Sequence, residues 1–197
     1  MNIDVFLQNL GIANHPGLRV EPRQEGYKNF TFGCRVIPGE PDVEDLAHEL
    51  AHAAQFGARH FRQRARAYGF NFRMRQVLAD DGELWDEPIT PQATLRELET
   101  SAYQAHLLEL AGVSVDHEAL FNAAARTMTF FMRDWYCVPG ESEAERLAWC
   151  VQQANAFYAA RKPEAVVRRL RKWLDKTEKH LALQGKTTRQ RRKLCSR

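Results

Sequence analysis

Hydrophobic positions recur at helical spacing from Thr90 almost to the end of the chain. Thr90-Pro91 supplies an N-cap followed by a proline suited to the first turn. The helix that follows, through LRELETSAYQAHLLELA, should close at Gly112. A second helix opens at Ser114 or Asp116 and carries Leu120, Phe121, Ala124, Met128, Phe131 and Met132 at helical spacing. Ser142 and Glu145 form a capping box for a third helix to about Ala160. A fourth, Glu164 to Gln184, gathers Val166, Leu170, Trp173, Leu174 and Leu181 on one face and should end at Gly185.

The first third of the chain changes period. Residues 3–10 suit a short helix closed by Gly11, and Gly17 to Glu21 suits a strand. From Asn29 to Ile37 the pattern alternates, with Phe30, Phe32, Cys34 and Val36 on one face, which predicts a half-buried strand. Pro38 to Pro41 breaks it, and Asp42 caps a helix reaching about Phe56 and closed by Gly57. Arg59 to Tyr68 reads as a basic helix. Residues 69–90 read as strands Phe70–Val77 and Glu83–Trp85 about a turn at Asp80-Asp81-Gly82, either a flap over the site or a surface hairpin. The expected class is α+β: a small antiparallel sheet packed on the 43–56 helix, then a mostly helical half. The expected units are 1–138, a helical extension 139–185 packed on it, and a basic tail 186–197, expected to be disordered.

The 43–56 helix carries the chemistry. His48-Glu49-Leu50-Ala51-His52 is an H-E-x-x-H, and residues i and i+4 share a helix face, so both imidazoles can converge on one cation. Uncharged neighbours at 46, 47, 50, 51, 53 and 54 bury the helix around the motif, and buried histidines need partners. Glu49, one residue off that line, suits a proton acceptor beside the metal and not a ligand.

This stretch resembles the zincin metallopeptidases, and the resemblance spans about residues 28–110. It implies zinc, a third protein ligand, and a peptide bond in a protein substrate. It also implies a strand edge that holds an extended substrate, although which strand here would be the edge is open. A histidine six residues after His52 would mark the metzincins, but Ala58 stands there. The run from His48 to His60 is loosely similar to SprT and WLM-type zincins, which act on DNA–protein crosslinks. Under that resemblance His60 is the third ligand, although the spacing differs and Phe61 replaces the usual glycine. The segment Leu98 to Tyr103 resembles the glutamate helix of the gluzincins, which implies Glu99 as the ligand, with Glu97 as its near alternative. AYQAHLL is also loosely similar to ImmA/IrrE-type zincins, without their methionine-proline. Tyr103 and His106, at i+4 and i+7 from Glu99, are candidate transition-state stabilisers or core residues.

Charge adds a second expectation. Residues 161–197 carry 14 Lys/Arg against 3 Asp/Glu, although the whole 197-residue chain has a net charge of only +3. An acidic body with a basic end suits an anionic partner, with Arg189, Arg191, Arg192 and Lys193 as candidate nucleic-acid contacts. The competing expectation is therefore a nucleic-acid-associated protein on a zincin scaffold, either a DNA-linked protease or a non-catalytic binder. Four scattered cysteines without C-x-x-C suit neither a cysteine zinc site nor a disulfide framework, and fit a reducing compartment. The start has no basic region before an apolar run, so a cytoplasmic protein without a signal peptide or membrane span is expected.

Overall fold

The computed structural model describes residues 1–20, 30–32, 35–37, 42–56, 91–131 and 136–195. Helix α1 (Ile3–Asn9) starts at Asn2, whose side chain accepts the Val5 N–H at 2.9 Å. It ends at Gly11, in the left-handed region at φ +66. There Gly11 N–H donates to Gln8 and Ile12 N–H donates to Leu7, the paired closing bonds that a positive φ permits.

Strands β1 (Phe30–Phe32) and β2 (Arg35–Ile37) follow, then α2 (Val43–Phe56). Asp42 caps α2 by accepting the Asp45 N–H at 2.8 Å, and Glu44 and Asp45 in the first turn favour the positive helix end. Helix α3 (Pro91–Leu110) closes as α1 does, with Gly112 at φ +83, Gly112 N–H on Glu109 and Val113 N–H on Leu108. Asp116 caps α4 (His117–Arg126), which runs on as a π-helical turn, Thr127–Phe131. The Ser142–Glu145 capping box opens α5 (Glu143–Ala159), and α6 spans Pro163–Cys195.

Helix α3 is the axis of the molecule. On one side it packs with α1, α2 and α6 through Leu46, Leu50, Tyr103, Leu107, Leu170 and Leu174. On the other, Leu98 and Ala105 meet Phe121, Met128, Cys150 and Ala154 of α4, its π-turn and α5. Alanines 47, 51 and 54 add no bulk to α2, so it sits close against its neighbours, and all three are fully buried. With both sides covered, α3 also buries Glu99, Thr100, Ser101, Gln104 and His106. Buried polar groups need hydrogen-bond partners, so this helix must be read bond by bond.

The α+β expectation is corrected. The body is helical, and the only paired strands among the described residues are one hairpin, in register Phe30↔Ile37, Thr31↔Val36 and Phe32↔Arg35. Two three-residue strands do not make a layer, so α3 and α6 provide the packing against α2 that the sheet was expected to give. The alternation at 29–37 is thus split between two antiparallel strands and not carried by one. Gly17, expected in a strand, lies in a turn against α6: a Cβ there would stand 2.1 Å from the Leu174 carbonyl oxygen. Phe131, expected on the buried face of its helix, is 82% exposed, because the π-turn rotates the final residues off that face. Helix α6 passes Gly185 without ending, and its backbone stays helical to Cys195 where disorder was expected. The expected helix at 59–68 and hairpin at 69–90 lie outside the described residues. No described helix is long and apolar enough to cross a membrane.

Candidate metal centre

His48, Glu49 and His52 offer ligand atoms that all lie within 4.8 Å of one another on α2. The two rings meet edge to face, with centroids 4.9 Å apart. Helix α3 brings Glu97 to them. Its Oε2 lies 3.3 Å from His52 Nε2 and 3.8 Å from His48 Nε2. The other oxygen, Oε1, accepts from Arg96 Nε at 3.1 Å and Nη2 at 2.6 Å, a fork that fixes the carboxylate.

The second nitrogen of each imidazole is also held from α3. His48 Nδ1 donates to Gln104 Oε1 at 3.2 Å, and Gln104 Nε2 donates to the Glu44 carbonyl at 3.1 Å, which sets the amide's orientation. The Thr100 hydroxyl donates to the Arg96 carbonyl at 2.9 Å, so it accepts from His52 Nδ1 at 3.2 Å. With Nδ1–H engaged in this way, each ring in its neutral form presents the Nε2 lone pair. That is the arrangement a metal-binding histidine takes when an outer group fixes its tautomer.

Electrostatics act in the same place. Burial, reinforced by the neighbouring His52, lowers the His48 pKa. Burial also works to lower His52, but the Glu97 carboxylate outweighs it and His52 is raised. Burial works to raise Glu97, yet His52 and Arg96 hold it far below the usual carboxylate range. Glu97 thus favours the charged form of His52, while burial favours the neutral form of His48. Two imidazole nitrogens and one carboxylate oxygen make a donor set suited to zinc, so the residues fit the group that the motif implies. The His48 side chain is 32% exposed, which leaves the centre open on one edge.

Glu99 is placed elsewhere. Successive helical residues are rotated by about 100°, so residues 97 and 99 leave α3 in widely separated directions. Glu99 is buried: Oε1 accepts from the Tyr103 hydroxyl at 2.9 Å and Oε2 from Gln55 Nε2 at 3.1 Å. Arg169 of α6 donates to the same Tyr103 hydroxyl. Tyr103 thus belongs to a buried network joining α2, α3 and α6. His106 binds the Tyr158 carbonyl through Nε2 at 3.1 Å and stacks on the Tyr158 ring. Of the two alternatives for Tyr103 and His106, the structure favours core residues over transition-state stabilisers, since both side chains are held in the core by these partners. His60 lies outside the described residues. Arg189, Arg191, Arg192 and Lys193 fall on the α6 backbone, and their side chains are outside those described.

Arg96, Thr100 and Gln104 were missed by sequence reasoning. The signal was present: Glu97, Thr100 and Gln104 stand at i, i+3 and i+7, a polar stripe along a helix that is buried from Leu98 to Leu108. A second cluster, His15, Asp175 and Glu178, also has ligand atoms within 4.8 Å, but it fails the tautomer test. Gly17 N–H donates to His15 Nδ1 at 3.1 Å, so Nε2 holds the proton and points it at Asp175 Oδ1, 3.3 Å away. No lone pair faces those carboxylates, and His15 meets Asp175 by a hydrogen bond from Nε2–H.

No known protein family, curated protein or solved structure matches this chain.

Proposed function

We propose that this protein is a zinc-dependent peptidase in which His48, His52 and Glu97 hold the metal and Glu49 moves the proton. The observation that supports it best is the double arrangement of the histidines, with both Nε2 atoms turned to Glu97 Oε2 and both Nδ1 atoms occupied by α3. A bound zinc supplies Lewis acidity, polarising a carbonyl and making water more acidic. Arg96 keeps Glu97 from rotating away, and Thr100 and Gln104 keep both imidazoles in the binding tautomer. Glu49, buried within the same group of ligand atoms, takes a proton from the attacking water as its oxygen bonds to the peptide carbon. It then delivers that proton to the leaving nitrogen as the C–N bond breaks, giving a carboxylate and an amine. The substrate class is a protein or peptide, approaching from the exposed edge of His48.

Two measurements test this. Purified protein should contain about one zinc, lost in the double variant His48→Ala/His52→Ala. Glu49→Gln should keep the zinc and lose hydrolysis by a factor of about 10²–10⁴, the usual range for general acid–base assistance. Wild type and Glu49→Gln acting alike on a peptide library would leave a metal-binding scaffold without peptidase activity.

A further inference from the structure

We infer that the outer face of α6 is a docking surface for duplex DNA, bound through its phosphates without regard to sequence. The inference is independent of the zinc centre. The cations of α6 divide into two groups. Arg169 and Arg171 are engaged by the body, the first with the Tyr103 hydroxyl and the second with the Leu10 carbonyl at 3.2 Å. Arg168, Lys172, Lys176 and Lys179 are exposed and form no ion pair among the described residues.

The second group continues along the helix in register. Lys172, Lys179, Lys186 and Lys193 recur every seven residues. A heptad drifts by only about 20° around a straight α-helix, so these four positions stay on one side. At a rise of about 1.5 Å per residue the row is roughly 32 Å long. That is close to one turn of duplex, about 34 Å. Arg168 and Lys176 stand one turn either side of Lys172, on the same side. Beyond Glu178 the helix carries no Asp or Glu, and Asp175 is tied to His15 at 3.3 Å.

Charge alone would also suit other polyanions, and the rest of the face decides between them. Residues 178–195 contain no Phe, Tyr or Trp, and Trp173 is buried in the core. Single-strand binding relies on a series of aromatic side chains on which successive bases stack, and 178–195 carries no such series. An in-plane membrane helix needs a sustained apolar face, whereas 178–195 has only scattered leucines at 181, 183 and 194. The major groove of A-form RNA is too narrow for side chains to read, whereas that of B-form DNA admits a helix.

The test uses the full chain and fluorescence anisotropy on a random 20-base-pair duplex. With about six phosphates neutralised, affinity should fall about a thousand-fold between 50 and 200 mM salt. The variant Lys179→Gln/Lys186→Gln/Lys193→Gln should make the log–log salt slope shallower by roughly 3 units. The control Arg126→Gln/Arg161→Gln/Lys162→Gln removes the same charge at exposed positions off α6 and should leave the slope unchanged. Circular dichroism verifies that both variants are folded. A lack of duplex binding at 50 mM salt would overturn the proposal, as would equal losses in the two variants. Tighter binding to single strands, RNA duplex or anionic vesicles than to the DNA duplex would overturn it too.

Discussion

Replacing Glu99 with alanine separates the two acidic residues of α3 that the sequence left as alternatives. Glu99 is 1% exposed and accepts from Tyr103 and Gln55. Truncation leaves two buried donors short of an acceptor, each costing about 1–3 kcal/mol when unsatisfied. Gln55 Nε2 retains the Arg96 carbonyl at 2.9 Å, which holds its share to the low end. A total near 3 kcal/mol follows, and at about 2–4 °C per kcal/mol in a chain of this size the melting point should fall by roughly 6–12 °C. Zinc content of the folded protein should stay at the wild-type value, because Glu99 does not face the histidines. Glu97→Ala should lose zinc, and it should also lower the melting point of the metal-free protein, because it strips His52 and Arg96 of their shared carboxylate. The assays are thermal unfolding by circular dichroism in chelator and elemental analysis of the reloaded proteins. Loss of zinc from folded Glu99→Ala, with retention in Glu97→Ala, would refute the assignment.

The remaining predictions are narrower. Thr100→Val removes the acceptor from His52 Nδ1 and should weaken zinc binding about 10–100-fold, read by chelator competition. Zinc affinity should fall as pH is lowered, because the ligands must be deprotonated and the raised pKa of His52 keeps its proton to higher pH than a free imidazole. A competition series showing affinity flat from pH 8 to pH 5.5 would contradict that. Gly17→Ala should displace α6, since its Cβ would meet the Leu174 oxygen, and chemical denaturation should show a loss of more than about 1 kcal/mol.

Much of the helical half was legible because its boundaries rest on local chemistry. Asp42, Asp116, Ser142–Glu145, Gly11 and Gly112 each end or open a helix by a bond to residues close in sequence. The strand at Gly17 was misread because what decides that segment is a contact with Leu174, far along the chain. The meeting of His48 and His52 on one helix face was legible from a spacing of four. The choice between Glu97 and Glu99 was not, because both lie on one helix within the reach of α2, and which one meets the histidines depends on how α2 and α3 are rotated against each other. The overshoot of α6 past Gly185 has a simple cause: a glycine inside a helix costs only about 1 kcal/mol, too little by itself to end it.

The ladder between α2 and α3 also acts as a register lock. Two antiparallel helices lined with alanine and leucine could slide by a turn at small cost in apolar contact. Here His48 meets Gln104, and His52 meets Thr100. A shift of four residues one way would set His48 against Leu108, which offers its imidazole N–H no side-chain acceptor. The opposite shift would set His52 against Arg96, a cation. Either slip is penalised, so the pairs that orient the two imidazoles also select one alignment of the helices during folding.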